Sequence, residues 1–135
     1  MDHGVFVLRG TRAQRLAPEG TASWGSTGAA VGEPNAVGPA TIVFDTPATW
    51  VLVQRAKKAD ADHLLAGRFD AKAQPLWESS ADIGVPGSMH RAERIEVTAL
   101  QDGDGVRVEI PSGLVGSRAK AADITTDGNV RPAAP

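Results

Sequence analysis

The strongest constraint on the fold is a pair of short segments in which apolar and polar residues alternate. Before Leu100, RIEVTAL (residues 94–100) places its apolar residues on one side of an extended chain and its polar residues on the other, and VRVEI (residues 106–110) does the same. The stretch QDGDG, residues 101–105, separates them. The pattern predicts an antiparallel hairpin with one buried and one solvated face, and Pro111 is expected to end its second strand.

The aspartates of QDGDG also raise the question of a calcium site. An EF-hand loop needs oxygen ligands at positions 1, 3, 5 and 12. Counted from Asp102, position 3 is Asp104, but positions 5 and 12 are Val106 and Gly113. Two carboxylates alone do not complete such a site, so the stretch is interpreted as a turn in which glycine supplies positive φ angles.

Further strand signals precede this hairpin. Short β-branched and aromatic runs occupy residues 40–45 and 49–54, and another apolar run follows at 63–70, after a polar connection at 55–62. A helix over residues 53–65 is the competing interpretation. Many short strands without long amphipathic helices predict an all-β chain, with a single antiparallel β-sandwich or a small barrel.

The distribution of glycine and proline predicts the domain limits. Residues 1–39 contain seven glycines and three prolines, whereas residues 40–72 contain one of each. We therefore expect an N-terminal strand and an extended arm over 1–39, a sandwich core over 40–116, and an extended C-terminal tail over 117–135.

Composition narrows the classes of partner. The formal net charge is −2 with both signs spread along the chain, which argues against binding to nucleic acid or to an anionic membrane. The chain has no cysteine, and no apolar run approaches the length of a membrane-spanning helix. The N-terminus lacks the pattern of a signal peptide, so we expect a protein made without an export signal of its own.

Motifs for catalysis and for metal binding give no candidate residues. The sequence has neither a G-x-S-x-G elbow nor a phosphate-binding glycine motif. Asp60, Asp62 and His63 are close in sequence, but they do not form a three-ligand set, and His3 and His90 are distant from them. We therefore predict a protein that is not an enzyme and has no catalytic residue, metal or cofactor.

Two features are candidates for partner binding. The arginines Arg9, Arg12 and Arg15 form a local basic cluster that would pair with carboxylates of another chain. Trp24 lies in the glycine-rich segment without apolar periodicity around it. Such a tryptophan either packs on its own sandwich or inserts into a pocket of a neighbour.

Three segments together resemble a known class of proteins. The strand pattern of TPATWVLVQRAKK, HLLAGRFDA and RIEVTALQDGDGVRVEI resembles that of the small β-sandwich accessory proteins of tailed-phage virions, which include capsid decoration (cement) and tail-associated proteins. The resemblance implies a non-enzymatic structural protein in the virion, made in the host cytoplasm. Its partners would be the major capsid or tail protein, and further copies of itself in a homo-oligomer.

Two other functions stay open at this stage. A carbohydrate-binding β-sandwich module would need exposed aromatic side chains such as Trp77 or Trp24. A small β-barrel enzyme would need His63, His90 and acidic residues to meet in one pocket.

Overall fold

The computed structural model describes residues 5–9, 12–16, 29–31, 35–88, 93–116 and 120–132, and within these ranges the protein is all-β. A single turn of 3-10 helix covers Gln101–Gly103. The strands, in chain order, are β1 Val5–Arg9, β2 Arg12–Leu16, β3 Ala29–Ala30, β4 Ala36–Thr46, β5 Thr49–Lys58, β6 Ala61–Asp70, β7 Ala81–Gly84, β8 Glu96–Ala99, β9 Val106–Glu109, β10 Ala121–Ile124 and β11 Val130–Pro132.

The strands form sheets in which each strand pairs with its neighbour in sequence. β4, β5, β6 and β7 make one four-stranded antiparallel sheet, and β8, β9, β10 and β11 make the other. β1, β2 and β3 form a separate small sheet. The two larger sheets pack face to face as a small β-sandwich, with β4 beside β8 on one flank and β7 near β11 on the other.

The core between the two larger sheets follows from the alternation of side chains along their strands. Val51, Val53 and Leu64 face inward from one sheet, and Val108 and Ile124 face inward from the other. All five are essentially inaccessible to solvent. Burying a side chain of this size contributes about 1.5–3 kcal/mol to folding, so this layer is a main source of stability.

A second apolar cluster covers the opposite face of the β4–β7 sheet. Trp50 is completely buried and stacks on Phe69 with a ring-centroid separation of 4.6 Å. Leu52, Ala73 and Val31 complete the cluster. β5 pairs with β4 on one side and β6 on the other, and it is buried on both faces, so it is a central strand of the fold.

The predicted hairpin at residues 94–110 is confirmed. Val97 pairs with Val108 across β8 and β9, and the apolar residues of β9 are buried while its charged residues face outward. The connection uses positive φ angles at Gly103 (72°) and Gly105 (121°), as predicted for QDGDG. A Cβ atom added at Gly105 would lie 2.0 Å from the Ile124 carbonyl oxygen, so this position also requires glycine for lack of space.

The segment at residues 53–65 is strand, turn and strand, as preferred over a helix, but the connection is much shorter than predicted. It is not a helix, and the polar connection expected at 55–62 is mostly strand, since β5 runs to Lys58 and β6 begins at Ala61. The strands continue through this polar sequence with Lys57 opposite Asp62 and Lys58 opposite Ala61, and Arg55 is buried there in an ion pair. Ala59, with a φ of 55°, makes the turn.

The C-terminal segment also differs from its prediction. Instead of an extended tail over 117–135, β10 and β11 extend the sheet of β8 and β9, and Ile124 is part of the core. At the other end of the chain, β2 and β3 lie within the segment predicted as an arm, and β4 begins at Ala36 rather than at 40. The domain limits otherwise stay predictions.

Candidate functional site

The N-terminal sheet carries the arginines predicted to bind a partner. In the antiparallel register of β1 and β2, Arg9 pairs with Arg12 and Phe6 pairs with Arg15. The backbone therefore brings two of the three arginines to adjacent positions at the end of one hairpin. Trp24, the fourth predicted residue, lies outside the described residues.

A buried ion pair joins β4 to β6 inside the fold. The Asp45 side chain is 0% exposed, and its Oδ2 accepts a hydrogen bond from Arg68 Nε at 2.9 Å. Thr49 donates from Oγ1 to Asp45 Oδ1 at 2.7 Å, and Arg68 Nη2 in turn donates to Thr49 Oγ1. Both carboxylate oxygens are thus satisfied, as a buried charge requires.

The same arginine connects the two sheets. Arg68 Nη1 donates to the carbonyl oxygen of Thr126, which lies in the connection between β10 and β11. Trp77 Nε1 donates to that carbonyl oxygen as well, at 2.8 Å. Gly128 lies against the indole ring of Trp77, so this connection is held by both polar and apolar contacts.

A second buried arginine holds the other end of the sandwich. Arg55 is 3% exposed, and its Nη2 donates to Glu93 Oε2 at 2.8 Å while Nη1 donates to the Ser88 carbonyl oxygen. Glu93 also accepts hydrogen bonds from the backbone N–H and the hydroxyl of Ser112. This network joins β5 to the segments that precede β8 and follow β9.

A cavity of about 530 Å³ opens beside Arg55, between the flanks of β5 and β8. Its volume is within the roughly 300–1,000 Å³ typical of small-molecule sites. The lining includes Val53, Leu64, Ile95, Val97, Arg55 and Glu93. Because Glu93 already neutralises Arg55, the cavity is better suited to an uncharged group than to an anion.

A third polar cluster lies near the surface around Asp82 on β7. Lys58 Nζ lies 2.9 Å from Asp82 Oδ2, and His63 Nδ1 lies 3.0 Å from Oδ1. The N–H of Gly84 donates to the same Oδ1. Partial burial alone would raise the pKa of the Asp82 carboxyl, but the hydrogen bonds and charges of Lys58 and His63 outweigh it and hold this pKa below its ordinary value.

This lowered pKa makes the contribution of Asp82 to stability dependent on pH. The folded pKa lies below the unfolded value near 3.9, so the contribution is complete above that value and is lost as the pH falls through the folded pKa. We expect Asp82→Asn to destabilise the protein at pH 7 and to differ little from the wild type in strong acid. Urea unfolding of both proteins from about pH 7 to about pH 2 measures this difference. A difference that is constant over this range would contradict the assignment.

The solvated face of the second sheet contains a further ion pair. Arg107 contacts Asp123 on the adjacent strand through two hydrogen bonds, at 2.8 Å and 3.2 Å. The hydrogen bond and the charge of Asp123 raise the pKa of the Arg107 guanidinium. This pair is more exposed than the Arg68–Asp45 pair, since the Arg107 side chain retains 35% of its accessible surface.

Trp77 borders a polar pocket of about 470 Å³ at the rim of the sandwich. Glu78, Ser79 and Asp127 also line this pocket. The tryptophan is half-buried, and part of it packs on the core. The pocket therefore offers carboxylate and hydroxyl groups next to an aromatic ring.

Neither a metal site, a membrane-spanning helix nor a similar protein assigns a function to the described residues. Within the described ranges, no three His, Asp or Glu side chains come together as a possible metal site, and no helix is long and apolar enough to cross a membrane. His63 lies beside Asp82, whereas His3 and His90 fall outside the described residues. Comparison of the chain with protein-family models, curated proteins and solved structures found no match.

The polar networks were not anticipated from the sequence. Asp45 and Arg68 are far apart in the chain and become neighbours only through the pairing of β4, β5 and β6. Arg55 and Glu93 are similarly distant. The one local signal is Arg55, which closely follows the apolar run of β5. An arginine buried inside a strand needs a carboxylate partner.

Proposed function

We propose that the chain is a non-enzymatic structural protein that binds and reinforces a repetitive protein assembly, the capsid or tail of a tailed-phage virion. The observation that carries the proposal is the division of the fold into a small N-terminal sheet and a sandwich whose two sheets are tied together. Arg68 and Arg55 provide these ties at opposite ends of the sandwich. A rigid body with a separate arginine-bearing hairpin suits attachment to a fixed surface.

The hairpin would supply the attachment contacts. Arg9 and Arg12 are adjacent in its register, and two guanidinium groups at one end of a hairpin would match a pair of carboxylates on the assembly. Many copies bound to a repeating surface reinforce it even where each contact is weak.

Charge reversal at the hairpin tests this role. We expect Arg9→Glu/Arg12→Glu to abolish incorporation into virions produced by the genome that encodes the chain, because acidic residues would oppose the carboxylates of the assembly. Antibodies against the recombinant chain, applied to density-gradient-purified particles, measure incorporation. This variant is preferable to deletion of residues 1–39, which would also remove Val31 from the core and the start of β4.

The matched control is Arg94→Glu/Arg131→Glu, which changes the net charge equally at two exposed positions on the sandwich. It should be incorporated like the wild type. Wild-type chain missing from every particle fraction would overturn the proposal, and equal loss in both variants would overturn the role of the hairpin.

A second candidate function is that of a carbohydrate-binding module, and the pocket beside Trp77 favours it. An aromatic ring next to Glu78 and Asp127 provides apolar and polar contacts of the kind that a sugar uses. Glycan-array binding that is lost in Trp77→Ala would support this candidate over the virion protein.

A further inference from the structure

The strands at the edges of the sheets differ in how they avoid pairing with other chains. Edge strands in soluble proteins are usually short, bulged, charged or interrupted by proline. β4 contains Pro39 and an irregularity between Val37 and Ala40, and its Thr41 hydroxyl bonds to Ile95 on the neighbouring flank. β3, β7, β8 and β11 are short, with four residues or fewer, and β11 ends with Pro132. Each of these edges is therefore protected.

Among the edge strands of the described sheets, β1 lacks such protection. It spans Val5–Arg9 with the sequence VFVLR, pairs with β2 without interruption, and has no other partner among the described strands. Its first four residues are apolar, with high strand propensity and no proline. A regular apolar edge of this kind is a template for a further strand.

We propose that two copies of the chain pair antiparallel through β1, which joins their N-terminal sheets into one continuous sheet. Pairing of identical strands about a two-fold axis forms a closed interface. The register in which all five residues of the strand take part is the one that places Val7 opposite Val7. Phe6 is then opposite Leu8, and Arg9 is opposite Val5 rather than its own copy.

This register favours a second copy over an unrelated strand. Aromatic and β-branched residues in opposite positions stabilise a strand pair, whereas like charges in opposite positions destabilise it. The proposed register contains one Val7–Val7 pair, two Phe6–Leu8 pairs and two Val5–Arg9 pairs, so no like charges lie opposite each other. The interface is small, so we expect a dissociation constant between about 1 μM and 1 mM.

The hydrogen-bond pattern of the hairpin identifies the peptide groups involved. Arg9 and Arg12 flank a connection of two residues, and in such hairpins the flanking pair and every second pair beyond it exchange hydrogen bonds. The N–H groups of Phe6 and Leu8 then point away from β2, toward the free edge. Proline is tolerated at such positions on an edge strand, so Leu8→Pro would block the dimer while sparing the hairpin.

Sedimentation equilibrium of the full chain, up to about millimolar concentration, tests the proposal. We expect reversible dimers for the wild type, a loss of association of about tenfold or more for Leu8→Pro, and a much smaller loss for Leu8→Ala, which retains the N–H group. Wild-type chain that stays monomeric throughout, or equal association of the two variants, would overturn the proposal.

Cross-linking gives a second readout that does not depend on the folding of the proline variant. The chain has no cysteine, so Val7→Cys introduces a single thiol, and the Val7 pair would have Cα atoms about 4.5 Å apart, within disulfide range. Its oxidation to a dimer should be faster than that of Thr98→Cys, an exposed control on β8. Equal rates would contradict pairing through β1. Both measurements use the purified chain alone. A negative result would therefore contradict the dimer without contradicting the incorporation of the chain into virions.

Discussion

Replacing Arg68 with methionine is expected to lower the free energy of unfolding by about 3–5 kcal/mol, because it leaves a buried carboxylate without its cation. Asp45 is 0% exposed, so water cannot replace the lost guanidinium. The substitution also removes the hydrogen bond to the Thr126 carbonyl oxygen, which links the two sheets. Urea unfolding followed by circular dichroism measures the change in free energy.

Arg107→Met is the matched control. It removes an arginine of the same kind from a strand interior, but this ion pair is more accessible: the side-chain exposures are 35% for Arg107 and 10% for Asp123, against 14% for Arg68 and 0% for Asp45. We expect a smaller loss of stability there, because water reaches this pair more easily. Similar losses for the two variants would show that burial of Asp45 is not the cause. A double variant, Asp45→Ala with Arg68→Met, should recover part of the loss, because it removes the unpaired charge.

Replacing Trp50 with alanine should cost about 3–5 kcal/mol of unfolding free energy, the usual range for large aromatic residues in a core. Trp50 is fully buried, stacks on Phe69, and donates from Nε1 to the Asp70 carbonyl oxygen at 2.9 Å. Alanine would leave a cavity on the face of the β4–β7 sheet that points away from the sandwich interior. The denaturant midpoint should fall while the m-value stays constant.

Two comparisons make this result specific. Trp50→Phe keeps an aromatic ring beside Phe69 and loses the indole hydrogen bond and part of the buried ring volume, so its loss should be smaller than that of alanine. Trp77→Ala, at a half-buried position, should also cost less. A Trp50→Ala variant within about 1 kcal/mol of the wild type would mean that this second cluster adds little to the core.

The parts of the fold that the sequence predicted are those where burial follows a local pattern, either strict alternation or a continuous apolar run. β8 and β9 were predicted because their apolar residues recur at every second position and the glycines between them mark the turn. Trp50 lies in a run that is apolar on both faces, which predicts a central strand, and it is completely buried.

The parts that were missed depend on partners remote in the chain. The end of β5 has the composition of a loop, and burial of Arg55 there depends on Glu93 and on the Ser88 carbonyl oxygen, both remote in the chain. In β10, Asp123 interrupts the apolar pattern, and its pairing with Arg107 on β9 explains its place in a strand. Local patterns contain no information about such pairs, which form only when the sheets are assembled.

The order of the strands has a consequence for how the chain reaches its fold. In both large sheets every hydrogen-bonded pair joins strands that follow each other in sequence, so each sheet is a simple meander. Most sandwiches instead pair remote strands, which requires long loops to close early and makes folding slow. Here each sheet can form from one continuous segment, and the remaining nonlocal step is the docking of two finished halves. The hydrogen bond from Arg68 to Thr126 and the ion pair of Arg55 with Glu93 form between the halves at that last step. Their loss should therefore speed unfolding more than it slows folding.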